Sequence, residues 1–145
     1  MTMRPTRWWW AVVVQVVVVG LALFGAWSRR GDRGRCAFDG AAIEPVYRVR
    51  VEGPDGQTHP FCCIRCAELW LEAHPGPTGH VVVTDESSGK DVDAAVAWFV
   101  RSSIVTQPTT GNRIHAFRHR VDAEHHADIA GGRVLSDIDR PFKNR

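Results

Sequence analysis

Three of the four cysteines crowd into the stretch Cys62-Cys63-Ile64-Arg65-Cys66, with His59-Pro60-Phe61 before it and Ala67-Glu68-Leu69-Trp70 after it. A helix beginning near Cys63 puts Ile64, Ala67 and Leu71 on one face, with Trp70 beside them, at the spacing of a buried stripe. Cys62 and Cys66 are four apart and stack on one face of such a helix. A thiol at a helix N-terminus meets unpaired N–H groups and the positive end of the dipole. Both favour thiolate, the form that ligates soft metals and attacks electrophiles. The fourth cysteine lies in Cys36-Ala37-Phe38-Asp39-Gly40, a C-x-x-C-G knuckle with Asp in the second ligand place. Cys36, Cys62 and Cys66 form the candidate ligand set, completed by Asp39 or by His59. Cys63 is either an alternative ligand or a packing residue. Three thiolates and one such ligand make a closed tetrahedral zinc site, and two or three thiolates with an exchangeable position make a Cu(I) site equally well.

Other thiol chemistries compete with this reading. An oxidising compartment would pair the thiols, with Cys36 to Cys62 or Cys66 as the plausible bridge, whereas a vicinal Cys62–Cys63 bridge would be strained. Cys63-x-x-Cys66 has redox-motif spacing, but lacks the βαβ setting of a thiol–disulfide oxidoreductase. His115 stands to the second half of the chain as His59 stands to the first, and His125-His126 is either an exposed helix face or a labile metal patch. Trp70 and Trp98 read as core, and Arg118, His119 and Arg120 as a solvated strand end. No G-x-S-x-G elbow, H-E-x-x-H pair, P-loop or Gly-rich dinucleotide turn is present, so the chain reads as a non-enzyme.

The elements that must position these residues are legible in outline. Ile43, Tyr47, Val49 and Val51 alternate with polar residues as a half-buried strand, Gly53-Pro54-Asp55-Gly56 turns, and Thr58 to Phe61 returns as a second strand. His74-Pro75 ends the cysteine helix, and Val81-Val82-Val83 is a short buried strand before a polar loop, Asp85 to Lys90. Asp93 to Val100 is an apolar run, helix or strand, continued in extended form at Ile104-Val105. Pro108 to Asn112 turns, Arg113 to Arg118 alternates as a strand, Asp122 caps a helix closed by Gly131-Gly132, and Val134-Leu135 extends again. At an offset of 56 residues His59-x-Phe61 falls on His115-x-Phe117, and Ala67-Glu68 on Ala123-Glu124. The expected architecture is α+β, with two similar strand-turn-strand-helix-strand halves behind one N-terminal transmembrane helix.

The N-terminus supplies that helix. Trp8 to Trp27 is apolar apart from Gln15, long enough to span a bilayer, and carries tryptophans at both ends. The organisation expected is an anchor over 1–28, a Gly/Arg linker over 29–35, a domain over 36–138 and a tail over 139–145. A cleaved signal peptide is the alternative, with Ala26-Trp27-Ser28 as its site. No lipobox precedes Cys36. Arginines 4 and 7 precede the span while 29, 30, 33 and 35 follow it, a count that leans towards a cytoplasmic C-terminus. The net charge of +2 hides an asymmetry: residues 36–145 hold 12 basic and 15 acidic residues, a net of −3. That balance argues against nucleic-acid binding. All seven histidines lie in this part, while Met1 and Met3 are the only methionines.

An ordered series of residues carries a family likeness. Val83-Thr84-Asp85, Asp93-Ala94, Ala97-Trp98-Phe99-Val100, Ser103, Pro108, Gly111, Ile114-x-Ala116-Phe117, Asp122-Ala123-Glu124 and Gly131-Gly132-x-Val134-Leu135 resemble the nitrous-oxide-reductase accessory (NosL) family over about residues 36–138. The resemblance implies an α+β domain of two similar halves on the outer face of the bacterial inner membrane. It also implies Cu(I) as the bound metal, and a metalloenzyme such as nitrous oxide reductase, or a copper-transfer protein, as partner. Three features depart from the family. An apolar anchor replaces a lipoprotein signal. The family's C-x-x-C-G-M knuckle is one thiol and one Met short. Its Pro-Met-Gly segment reads Pro108-Thr109-Thr110-Gly111. The Cys62-Cys63-x-x-Cys66 cluster also resembles the C-x3-C half of small TRASH-type metallochaperone modules. Zinc stays open as the alternative metal, and a structural-zinc interaction module as the alternative function.

Overall fold

A computed structural model describes residues 13–19, 34–77 and 79–143. Residues 13–19, within the expected membrane anchor, are helical (α1) and exposed. The rest of the Trp8–Trp27 run lies outside the described residues, and among the described residues no helix is long and apolar enough to cross a membrane. From Gly34 onward the chain forms one compact unit.

This unit is α+β. Strands β1 (Val49–Glu52), β2 (Thr58–Phe61), β3 (Val81–Thr84) and β4 (Asp91–Asp93) form one antiparallel sheet in the order β2-β1-β3-β4, with helix α2 (Ile64–Ala73) between β2 and β3. Strands β5 (Trp98–Arg101), β6 (Ile114–Phe117) and β7 (Arg133–Val134) form a second sheet in the order β6-β5-β7, with helix α3 (Arg120–Ile129) between β6 and β7. Strand, turn, strand, helix, strand thus occurs twice with the same neighbour order. The offset of 56 carries β2 onto β6 and α2 onto α3 residue for residue. It fails at β5 because residues 102–113 join β5 to β6, whereas only 53–57 join β1 to β2.

Three local expectations change. Ile43 and Tyr47 lie outside β1, because Pro45 has no N–H to give a ladder and its fixed φ starts a 3-10 turn over Pro45–Tyr47. The run from Asp93 to Val100 is neither one helix nor one strand. The Asp93 carboxylate accepts the Ala95 N–H at 2.7 Å and its carbonyl accepts the Ala97 N–H at 3.0 Å, a turn that splits the run into β4 and β5. Ile104 and Val105 lie outside the strands and are exposed.

Phe61, Leu71, Val49, Val51, Val83 and Phe99 are almost fully buried in one core that draws on both halves. Trp70 joins it, but Trp98 is half exposed and lies under the Arg120 guanidinium, 5.5 Å from its ring centre. Val100, Phe117, Ala123 and Ala127 seat α3 on the second sheet. Past residue 138, Arg140 donates to the carbonyls of Ala94, Ala95 and Ala97, and Phe142 meets Phe99 edge to face.

His125 is exposed, but His126 turns inward, its ring 4.3 Å from that of His115 and 5.1 Å from Phe117. Its Nε2 is buried without a hydrogen-bond partner. Burial, then the neighbouring His115 and His125, hold its pKa below the ordinary 6.5. The folded state therefore binds this proton less readily than the unfolded chain. The stability involved is complete above pH 6.5 and is lost as pH falls below it. Thermal unfolding followed by circular dichroism between about pH 7 and about pH 5 is expected to show a falling midpoint, and His126→Gln should flatten that slope.

Candidate metal centre

Two segments far apart in sequence build the centre. The first is the knuckle. Arg35 pairs with Ala42 in an isolated β-bridge, the Cys36 N–H donates to the Ala41 carbonyl at 2.9 Å, and the Gly40 N–H returns to the Cys36 carbonyl at 2.9 Å. Closing this loop needs a left-handed residue, and Gly40, at φ 70°, supplies it without a Cβ clash. The Ala37 N–H then donates to the Pro60 carbonyl at 2.8 Å, which ties the knuckle to β2. The second segment is the β2–α2 junction. Cys62 follows the last residue of β2, and Cys66 lies in the first turn of α2.

The knuckle and the junction bring four donors together. The Sγ atoms of Cys36, Cys62 and Cys66 and a carboxylate oxygen of Asp39 all lie within 4.8 Å of one another. Cys62 Sγ is 3.4 Å from Cys66 Sγ and 3.8 Å from both Asp39 oxygens, and Cys66 Sγ is 3.5 Å from Asp39 Oδ2. A single ion with thiolate bonds of about 2.3 Å asks for about 3.8 Å between its sulfurs, so these donors fit one small ion with little movement. The three cysteines are buried and Asp39 is half-buried, and all four cysteines of the chain are free thiols.

Charge is shared unevenly among the donors. The Cys66 thiol, hydrogen-bonded to Cys36, holds the Cys36 pKa down to about 6 against the opposing effect of burial. Cys66 itself is pushed up by those bonds to Cys36 and Cys63 and by burial. Burial pushes Cys62 up to about 12. Burial also acts to raise Asp39, but the Cys36 thiol and the Ala41 N–H outweigh it and keep the carboxyl below its usual range. A carboxylate and a thiolate therefore face two thiols whose protons an arriving cation would displace.

Of the two candidates for the fourth ligand, the structure brings Asp39 to the sulfurs and turns His59 elsewhere. Alternation along β2 puts His59 on the same side as Phe61, where its ring lies 4.7 Å from Trp70 and its Nε2 is 3.5 Å from Asp55. Cys62 has the opposite parity and faces the knuckle.

Cys63 stands outside the group. It is the N-cap of α2, and its Sγ accepts the Cys66 N–H at 3.4 Å and meets Thr110 Oγ1 at 3.5 Å. The Cys66 thiol first, against burial, and then Thr110 hold its pKa down to about 6. Cys63→Ala is expected to cost about 1 kcal/mol of stability through the lost cap while leaving metal stoichiometry intact; Cys63→Ser should keep the cap. Urea unfolding and metal analysis of both variants check this.

One contact went unforeseen in the sequence. Gln107 Nε2 donates to Cys62 Sγ at 3.3 Å. No spacing rule links positions 62 and 107, and the adjoining Pro108–Asn112 turn was the only local signal there.

No family model matches the chain, and no curated protein matches it in sequence. Among solved structures, it is similar to the crystal structure of the copper chaperone NosL from Shewanella denitrificans. The TM-score is 0.64 at 21% identity, over 79% of this chain and 90% of that one. The domain from Gly34 onward thus shares the fold of NosL, and it carries a buried three-cysteine, one-aspartate cluster where its knuckle meets its first long helix.

Proposed function

We propose that this protein is a copper-binding accessory protein that holds Cu(I) through Cys36, Cys62 and Cys66 and passes it to a partner metalloenzyme. The observation that carries the reading is the convergence of three buried sulfurs, from two distant segments, within one ion's reach. Soft thiolates suit Cu(I), and a fold like that of a copper chaperone is in keeping with them. The chain acts as a carrier, with copper as its cargo, and not as a catalyst. Asp39 keeps a negative charge beside the ion without being a soft donor. The missing methionines then matter little, because three sulfurs already satisfy Cu(I).

Asp39 also favours a second reading. A carboxylate oxygen is a good zinc ligand, and three thiolates with one carboxylate close a tetrahedral zinc site. Metal analysis after purification under reducing conditions separates the two. Zinc at one equivalent, with unfolding on chelation, would replace the copper reading with a structural-zinc module. Cu(I) taken up anaerobically against a competing chelator, with the fold intact in its absence, supports the carrier. We further place the domain on the outer face of the cell membrane, held by the apolar N-terminal run as a single-pass anchor. A C-terminal reporter active only outside the cytoplasm supports this, and activity only inside overturns it.

A further inference from the structure

The long connection between β5 and β6 is where the two halves stop being alike. Thr106 and Asn112 close its tip. The Thr106 N–H donates to the Asn112 carbonyl at 2.9 Å, Asn112 Nδ2 reaches Thr106 Oγ1 at 2.6 Å, and Gln107 and Asn112 form a β-bridge. Gly111, at φ 63°, completes the turn. The tip then touches the cysteine junction at three successive points. Gln107 Nε2 donates to Cys62 Sγ at 3.3 Å, Thr110 Oγ1 meets Cys63 Sγ at 3.5 Å, and Asn112 Oδ1 accepts the Arg65 N–H at 3.3 Å. Asn112 is buried and also holds the Ile114 carbonyl, so it is the fixed root. Gln107 and Thr110 are only half-buried, and residues 108, 109 and 111 are exposed.

We propose that the 107–111 tip is a strap over the metal centre, with Gln107 as the positioning residue that keeps Cys62 in place and governs how fast the ion leaves. This rests on the copper-carrier reading above. The three sulfurs are buried, so an acceptor reaches the ion only if something moves. The knuckle is pinned by a β-bridge and by backbone hydrogen bonds of 2.8 and 2.9 Å. The strap tip meets the cysteines through two side-chain contacts to sulfur, of 3.3 and 3.5 Å, and sulfur is a weak hydrogen-bond partner, so this is the weaker attachment. Lifting it frees Cys62 first. An incoming thiolate of the acceptor then binds the ion as Cys62 leaves, and copper stays Cu(I) throughout.

A strap of this kind would keep the Gln107–Cys62 contact in the metal-free and the loaded chain and break it during exchange, so its loss should change the rate of exchange more than the affinity. In the full chain, Gln107→Leu removes the donor and keeps an apolar side chain one atom shorter. Thr109→Ala, on the same tip but without a contact to sulfur, is the control. With Cu(I) loaded, transfer to a soluble Cu(I) chelator is expected to quicken about tenfold in Gln107→Leu, the worth of one hydrogen bond to a metal-bound thiolate, with a smaller change in equilibrium affinity. In the metal-free chain, deuterium exchange at the Thr106 and Asn112 amides, whose hydrogen bonds close the neck of the strap, should also quicken once the Gln107 contact is gone. An unchanged transfer rate, a rate change fully matched by a loss of affinity, or equal deuterium exchange of the strap amides in both forms overturns the strap. Failure of the wild-type chain to take Cu(I) would strike the carrier reading alone, because the deuterium-exchange arm needs no metal.

Discussion

Replacing Cys62 and Cys66 together by serine is expected to abolish tight Cu(I) retention. Cys62 Sγ and Cys66 Sγ lie 3.4 Å apart and contribute two of the three sulfurs. Serine is nearly isosteric, but a neutral hydroxyl is a hard and weak donor that stays protonated, so only Cys36 and Asp39 would remain. Changes in the groups around a metal's ligands alone cost about 10–100-fold in affinity, so loss of two ligands should exceed about a thousandfold. The measurement is anaerobic titration against a Cu(I) chelator of known affinity, with circular dichroism to show that the fold is retained. Wild-type affinity in the double variant would place the copper elsewhere and remove the carrier reading. Cys63→Ser serves as the control, since that thiol caps α2 and lies outside the donor group.

His115→Ala should produce the largest loss of stability among the histidine variants, about 3–5 kcal/mol. His115 is almost wholly buried, with Nδ1 2.9 Å from Glu86 Oε2 and Nε2 2.9 Å from Ser102 Oγ. The Ser102 hydroxyl in turn accepts the Ile104 N–H at 3.0 Å, so the imidazole joins the loop after β3 to the start of the β5–β6 connection. Removing the ring takes from a largely buried carboxylate its imidazole partner, leaving it the Ala116 N–H, and from a buried hydroxyl one of its two partners, and opens a cavity beside Tyr47 and His126. For a domain whose whole stability is on the order of 5–15 kcal/mol, that loss is a large share of the margin. Urea unfolding gives the number. His59→Ala, at the matching position of the first half, is expected to change stability by about 1 kcal/mol or less, because that ring is partly exposed and its carboxylate partner lies in water. Equal costs at the two positions would show that the buried network adds nothing.

The contrast between His59 and His115 shows where reading along the chain stops. Both occupy the same place in a strand–helix repeat, and a repeat offset assigns them equal roles. Their neighbours differ because Glu86 and Ser102 come from segments that only the folded second half brings together. Trp98 is a similar case: its apolar surroundings in sequence read as core, yet its strand places it under Arg120 at the surface. The two-half plan, by contrast, was visible beforehand, since strand alternation, the Gly-Pro-Asp-Gly turn and the apolar stripe of α2 are local patterns. The boundary at Pro45 and the split at Asp93 escaped because a missing N–H and one carboxylate turn each override an apolar run.

By itself the sequence determined the chemistry on offer: soft thiols beside a helix start, a glycine-closed knuckle with one thiol and one carboxylate, and no thioether in the domain. These follow from residue type and short-range periodicity, which act within a few positions of each other. Only the tertiary structure decided which side chains share an ion. Strand parity turned His59 towards Trp70 and left Cys62 facing Asp39, and the fold carried Gln107 from the other half onto the same sulfur. The centre and the residue that backs it close through space, across separations of 23 to 45 residues, and no local pattern encodes that closure.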